Sequence, residues 1–217
     1  MERTPAQRLV NRRAAGRMLA EFLRGYAGTD AIVLGITRGG LVVAHEVARR
    51  LKLPLDALVV HRMSEPDNPH LGVGVVTEHG HVIVSRPRLR ALAPPSGWLR
   101  EARDQAMTRA RQRAATLRGT YERRDIADRT VILVDDSAAT GTTLRAAIRA
   151  ARAMGANDII VAVPVAPRRL LEALRRRVGA VVCPTTPADL LLHGVHYPAP
   201  LQLDEEALSA FLAQDWA

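Results

Sequence analysis

Hydrophobic and polar positions recur along the chain with two different periods. Over residues 5–26, Val10, Ala14, Met18 and Phe22 return every four positions with Ala15, Leu19 and Leu23 beside them, while Arg8, Arg12, Arg13 and Arg17 fall elsewhere. That spacing predicts an amphipathic helix. Residues 31–36 are apolar, which predicts a short strand buried on both faces. A helix is expected over 41–51 and a second strand over 55–60, ended by a polar, proline-containing stretch over 63–70. Residues 73–77 and 81–84 flank Glu78-His79-Gly80 and predict a hairpin. Pro87, Pro94 and Pro95 then interrupt the chain. Beyond them Leu99, Ala102, Ala106, Ala110, Ala114, Leu117 and Tyr121, spaced at three and four, predict a long helix with arginine crowding its other faces. Alternation returns with a strand over 131–134, helix 142–154, strand 158–163, helix 168–177 and strand 180–183; a last helix is expected over 204–216.

Apolar strands alternating with amphipathic helices predict an α/β fold, a parallel sheet covered by helices on both faces. At 217 residues and 47% hydrophobic content, the chain suits one domain over 1–217. Within it, a helical insertion over 85–125 and a carboxyl-terminal hood and helix over 185–217 are expected. Aromatic residues are only 3%, so Leu, Val, Ile and Ala must fill the core. No run has the length of a membrane span, and Met1-Glu2-Arg3-Thr4-Pro5 lacks the apolar segment of a secretory signal. Cys183 is the only cysteine, which excludes an intramolecular disulfide and suits a reducing compartment. A soluble, cytoplasmic protein is expected. The formal charge of +9 is almost all arginine, since Lys52 is the only lysine. It favours polyanionic partners, and an arginine- and alanine-rich composition with no function attached would give the same number.

The segment richest in chemistry is Val131-Ile132-Leu133-Val134-Asp135-Asp136-Ser137-Ala138-Ala139-Thr140-Gly141-Thr142-Thr143. A buried strand ends in two carboxylates, and a loop of small residues leads into a helix. In open α/β sheets, ligands bind beyond the carboxyl ends of the strands. Without bulky side chains the loop amides can converge on one group, and the helix start adds free N–H donors and a positive dipole end. Adjacent carboxylates repel unless a diol, a magnesium ion or both bridge them. Carboxylates for hydroxyls beside amides for a phosphate describe a site for ribose 5-phosphate. An ordinary join, with Asp as turn residue and Thr as N-cap, accounts for either feature alone but not for the combination.

This stretch resembles the signature of the type I phosphoribosyltransferases, which bind 5-phosphoribosyl 1-diphosphate (PRPP); Asp135, Asp136, Thr140, Gly141 and Thr143 fall on its defining positions. The resemblance implies that Asp135 and Asp136 hold the ribose hydroxyls and that Ser137, Ala138, Ala139, Thr140, Gly141, Thr142 and Thr143 wrap the 5-phosphate. Upstream, Gly35-Ile36-Thr37-Arg38-Gly39-Gly40 stands where the family places its diphosphate loop. By that likeness Thr37, Arg38, Gly39 and Gly40 meet the diphosphate. Arg62, at the end of the second strand, matches a basic position that also touches it, whereas His61 departs from the usual Arg or Lys. The stretch 63–71, containing Ser64-Glu65-Pro66-Asp67-Asn68-Pro69, is read either as a mobile lid or as a plain surface loop.

The implied activity is a magnesium-dependent transfer of the phosphoribosyl group of PRPP to a nitrogenous base or similar acceptor, with release of diphosphate. Asp135, Asp136 and Arg38 carry the chemistry, and magnesium is held mainly through PRPP and water with Asp135 and Asp136. Ala139 replaces the aspartate that 6-oxopurine-using relatives place there, which leaves adenine, pyrimidine or other acceptors. The Arg-Gly-Gly loop and Asn68-Pro69 also resemble a bacterial group of phosphoribosyltransferases without an assigned acceptor. The rival reading is a PRPP-sensing regulator that acts on RNA, DNA or a protein. The arginines of the long helix (Arg100, Arg103, Arg109, Arg111, Arg113 and Arg118) would serve it, but aromatic interleaving is nearly absent and a solvated face is favoured. Phosphorolysis or hydrolysis of a related phosphoribosyl compound at the same site is a third option. The expected partners are PRPP and a small acceptor, with no membrane; a homo-oligomer stays open. His61, His70, His79 and His81 lack metal-ligand spacing and are read as solvated, while His193, His196 and Tyr197 are candidates for an acceptor pocket. Cys183 is read as buried rather than nucleophilic.

Overall fold

The computed structural model describes residues 11–65, 68–119, 121–187, 197 and 204–216. The apolar runs become a five-stranded parallel sheet: β1 (Ile32–Ile36), β2 (Leu55–Leu58), β6 (Thr130–Val134), β7 (Asp158–Ala162) and β8 (Ala180–Val182), in the order β2-β1-β6-β7-β8. Successive side chains of each strand point to opposite faces, and both faces are filled. Ile32, Leu34 and Ile36 join Val131 and Leu133 beneath helices α5 (Thr142–Ala153) and α6 (Arg168–Arg175). Val33, Ile132 and Val134 face the other way, towards α1 (Arg12–Phe22), α2 (Thr37–Leu51) and α7 (Glu205–Trp216). Each such buried aliphatic side chain contributes about 1.5–3 kcal/mol relative to its exposed state. The chain runs outward from β1 to β2 and later returns to β6 on the other side of β1, so the strand order reverses between β1 and β6. That switch point is where an open sheet offers a crevice.

A second sheet departs from the expected pattern. The apolar stretch 55–60 is divided: β2 ends at Leu58 and β3 (Val60–Glu65) leaves the parallel sheet to pair with β4 (Asn68–Thr77), which in turn pairs with β5 (Val82–Val84). The break falls at Val59, whose N–H donates to Glu78 Oε1 at 3.1 Å and whose carbonyl accepts the Glu78 N–H at 3.0 Å. The stretch read as lid or loop therefore supplies the arms of a β3–β4 hairpin, with register shifts on either side of Ser64; Pro66 and Asp67 lie outside the described residues. Its polar composition conceals strands whose pairing is set by partners elsewhere in the chain.

Two helices begin where glycine or proline obscured them. The segment Thr37-Arg38-Gly39-Gly40 is not a loop but the first turn of α2, which starts directly at the end of β1. Helix α3 (Arg86–Leu92) opens with Pro87, whose fixed φ suits a first turn. The long helix is α4 (Trp98–Arg118), shorter than the spacing suggested, and Tyr121 lies beyond it. Its alanines divide: Ala102 and Ala106 pack on Met63 and Val76 of the small sheet, Ala110 and Ala114 on the main core. The α4 arginines are not one solvated face. Arg118 is buried, donating from Nε to Asp56 at 3.0 Å and from Nη1 to Glu78 at 2.6 Å, and Arg111 donates to the Glu78 carbonyl at 3.2 Å. At the carboxyl terminus α7 packs on α2 and α4, with Phe211 stacked on His45 at 4.4 Å. The first predicted helix begins at Arg12 within the described residues; positions 5–10 lie outside them. Among the described residues no helix is long and apolar enough to cross a membrane.

Candidate active site

The carboxyl ends of β1 and β6 open into a cleft of about 910 Å³. One wall is the segment from Asp135 to Leu144. Asp135 is 8% exposed, and its Oδ1 accepts the Asp136 N–H at 2.9 Å. Burial first, then the charge of Asp136, raises its pKa well above the usual carboxylate value; the Asp136 N–H and Arg12 act in the opposite sense. Asp136 is turned differently. Its Oδ2 accepts Arg12 Nε at 2.8 Å, and its backbone carbonyl accepts the Tyr197 hydroxyl at 2.8 Å. The Arg12 guanidinium carbon lies 4.5 Å above the centre of the Tyr197 ring. Burial, and next the Asp136 charge, raise the Tyr197 pKa, so the phenol remains the donor.

The small-residue loop then bends back into α5. Ala138 N–H donates to the Val165 carbonyl at 3.0 Å, tying the loop to the segment that follows β7, and Thr140 and Thr142 hydroxyls lie 3.0 Å apart. Gly141, at φ +70°, is the N-cap of α5, in the left-handed region that other residues adopt at a cost. The amides of the first α5 turn have no partner within their helix, and Thr142, Thr143 and Leu144 of that turn line the cleft.

Across the cleft is the start of α2. Here two glycines are required by close approach: a Cβ on Gly39 would lie 2.1 Å from Asp136 Oδ2, and one on Gly40 would lie 2.7 Å from the Val134 carbonyl. The amino end of α2, with its positive dipole, is thus brought against the two carboxylates. A third wall comes from the small sheet, α3 and α4: Arg62, Ser64, Arg88, Gln105, Arg109 and Arg113. His61 is half-buried there, and burial, then Arg113, Arg109 and Arg38, lower its pKa, leaving a neutral imidazole at neutral pH. Guanidinium groups, the small-residue loop with its hydroxyls, and two adjacent carboxylates therefore line the same cleft.

Among the residues singled out from the sequence, Arg38, Gly39, Arg62, Asp135, Asp136, Ser137, Ala138, Ala139, Thr140, Gly141, Thr142 and Thr143 all line this cleft. Gly40 packs beneath it and Thr37 is the first residue of α2. Arg12, Arg88 and Gln105 were not anticipated; Arg109 and Arg113, read on a solvated helix face, line the cleft, and Tyr197, a candidate for the acceptor pocket, donates to the Asp136 carbonyl. For Gln105, Arg109 and Arg113 the spacing of four was a signal, since it places them on one stripe of α4; no local signal pairs Arg12 or Tyr197 with Asp136. The histidines read as solvated divide: His61 is in the cleft, His79 has a buried Nε2 without a hydrogen-bond partner, His81 is half-buried, and the His70 side chain lies outside the described ones, as do the acceptor-pocket candidates His193 and His196. Burial pushes the Cys183 thiol up to about 11, which keeps it a protonated donor to the Thr185 carbonyl at 3.3 Å. No group of three or more His, Cys, Asp or Glu able to hold a metal occurs among the described residues.

The chain is similar to known proteins. The crystal structure of TT1426 from Thermus thermophilus is 34% identical and superimposes with a TM-score of 0.76, covering 96% of this chain and 99% of that one. A protein of Mycobacterium tuberculosis named as a putative phosphoribosyl transferase is 34% identical over 198 residues, 91% of this chain. The match takes in 45% of that protein, so the chain spans about half the length of the curated relatives it matches. Residues 7–189, which include both walls built on β1 and β6, match the phosphoribosyl transferase domain, and the chain belongs to that family.

Proposed function

We propose that this chain transfers the 5-phosphoribosyl group of PRPP to a small nitrogenous acceptor and releases diphosphate. One observation carries the reading: a single cleft is lined by the adjacent carboxylates of Asp135 and Asp136, by the small-residue loop that follows them and by Arg38, Arg62, Arg109 and Arg113. The 5-phosphate would sit in the loop 137–143, held by amides and by the Thr140 and Thr142 hydroxyls. Asp135 and Asp136 would anchor the ribose diol, and the diphosphate would lie against Arg38, Gly39 and Arg62 with Arg109 and Arg113 above it. As the C1–O bond breaks, both electrons leave with the diphosphate and positive charge develops on the ribose ring. The guanidinium groups of Arg38, Arg62, Arg109 and Arg113 stabilise the first charge, and the carboxylates lie near the second. The acceptor nitrogen then forms its bond to C1 and gives up its proton to the released diphosphate or to water.

The residues present fit magnesium of one kind only. Two adjacent carboxylates, one of them buried, make too small a donor set for a dedicated cage but suit an ion held chiefly by substrate oxygens and water. When bound, magnesium supplies charge neutralisation at the diphosphate. Ala139 offers no proton-handling group at its position in the loop, which favours acceptors other than 6-oxopurines. The regulator reading keeps less of the α4 face, because Arg118 is buried and Arg109 and Arg113 line the cleft, while Arg100, Arg103 and Arg111 stay exposed.

Calorimetric titration with PRPP and magnesium tests the proposal, beside D135N/D136N and R109Q/R113Q. Saturable binding by the wild type is expected to be lost in the first variant. The second should keep ribose 5-phosphate affinity and lose at least about tenfold in affinity for inorganic diphosphate, the worth of one charge-assisted contact. A folded wild type that binds neither PRPP nor ribose 5-phosphate would sink the assignment. Diphosphate release on adding single bases would then identify the acceptor.

A further inference from the structure

We infer that Arg12 and Tyr197 are positioning residues that fix the Asp136 carboxylate for the ribose hydroxyls, an inference that rests on the phosphoribosyl reading above. Asp136 follows the end of β6 on a bent segment, where nothing in the local backbone dictates the orientation of its side chain. Three restraints supply that orientation. Arg12 Nε holds Oδ2 at 2.8 Å, and Gly39 lies so close to the same oxygen that even a methyl group would displace it. The Tyr197 hydroxyl holds the Asp136 carbonyl at 2.8 Å while its ring lies beneath the Arg12 guanidinium. One phenol thereby fixes the backbone and supports the cation that fixes the side chain.

The Arg12 and Asp136 side chains are 16% and 20% exposed, so this ion pair is shielded from the screening that weakens surface pairs. Tyr197 is 7% exposed and packs with Ala15 and Val165, which leaves its ring little freedom. With Oδ2 committed, Oδ1 is the weakly engaged oxygen, its partner being the Ser137 hydroxyl at 3.5 Å. That is the oxygen a ribose hydroxyl would meet. Arg12 also offsets the repulsion between two neighbouring carboxylates, acting on Asp135 as well. Its place in α1 and that of Tyr197 near the carboxyl terminus make the sugar subsite depend on both ends of the chain.

The test compares the binding of ribose 5-phosphate with that of inorganic phosphate in wild type, R12Q, R12K and Y197F. Ribose 5-phosphate should bind the wild type more tightly than phosphate does, and the difference measures the sugar subsite. R12Q should lose about tenfold or more in ribose 5-phosphate affinity with phosphate affinity within about twofold, the signature of one lost charge-assisted restraint. R12K should recover part of the loss, and Y197F should lose about threefold while keeping the ring beneath the guanidinium. A merely structural role would move both affinities together and would overturn the inference. So would an R12Q variant that keeps the full sugar gain. A wild type that gains nothing from the ribose would instead overturn the phosphoribosyl reading itself.

Discussion

Arg118 joins α4 to the body of the molecule, and replacing it with methionine isolates what that junction is worth. Its guanidinium donates to Asp56 at 3.0 Å, to Glu78 at 2.6 and 3.2 Å, and to the Ala57 carbonyl. Asp56 and Glu78 are 2% and 8% exposed, so R118M leaves two carboxylates inside the protein without their cation. Asp56 keeps the Ala57 and Arg124 N–H groups and Glu78 keeps the Val59 N–H, which softens the loss without neutralising it. Breaking a buried pair in this way costs about 3–5 kcal/mol. For a domain of this size each kcal/mol lowers Tm by roughly 2–4 °C, so a fall of about 6–20 °C is expected in calorimetry. The triple variant R118M/D56N/E78Q removes the charges while each amide retains a carbonyl acceptor, and it should recover at least half of the deficit. An R118M Tm within about 2 °C of wild type, less than 1 kcal/mol, would refute the account and give the trio no more than a surface pair's worth. Because Arg109 and Arg113 sit on the same helix, R118M should also weaken diphosphate binding.

Further outcomes concern the site. Gly39→Ala gains about 1 kcal/mol of helix propensity, but its methyl group displaces Asp136 Oδ2 and breaks the Arg12 contact. Its Tm should stay within a few degrees of wild type while PRPP affinity falls at least about tenfold. Gly40→Ala meets the Val134 carbonyl at 2.7 Å and the Asp135 Cα at 3.0 Å, so the backbone must yield. It should lose about 1–3 kcal/mol of stability, and the reverse ranking of the two Tm values would refute this geometry. Asp135 has a folded-state pKa raised by burial and by Asp136. Its contribution to stability is therefore complete below the unfolded-state value of about 4 and is lost as pH rises through the folded-state value. Asp135→Asn cannot ionise, so its Tm advantage over wild type should grow from about pH 4 upward and then level off; parallel Tm curves would contradict it.

The alternation of strands and helices, and the run from Val131 to Thr143, were legible in the sequence because each depends on neighbours in the chain. A buried strand has its apolar residues in succession, a helix shows its period within two turns, and a phosphate loop is contiguous by nature. The parallel sheet with helices on both faces and the cleft wall from Asp135 to Thr143 followed from these alone. Other features were decided at a distance. The chain leaves the main sheet at Val59 because Glu78, 19 residues away, takes its N–H. Arg109 and Arg113 turn into the cleft because the alanines of α4 pack on Met63, Val76 and the main core, and a charged stripe looks the same in sequence whether it meets water or a cavity. Asp136 was visible as a carboxylate, but its orientation comes from Tyr197, 61 positions along, and from Arg12, 124 positions back. Local periodicity specifies which residues are buried; only the packed tertiary structure specifies which side chains meet, because that depends on elements whose separation in sequence carries no signal.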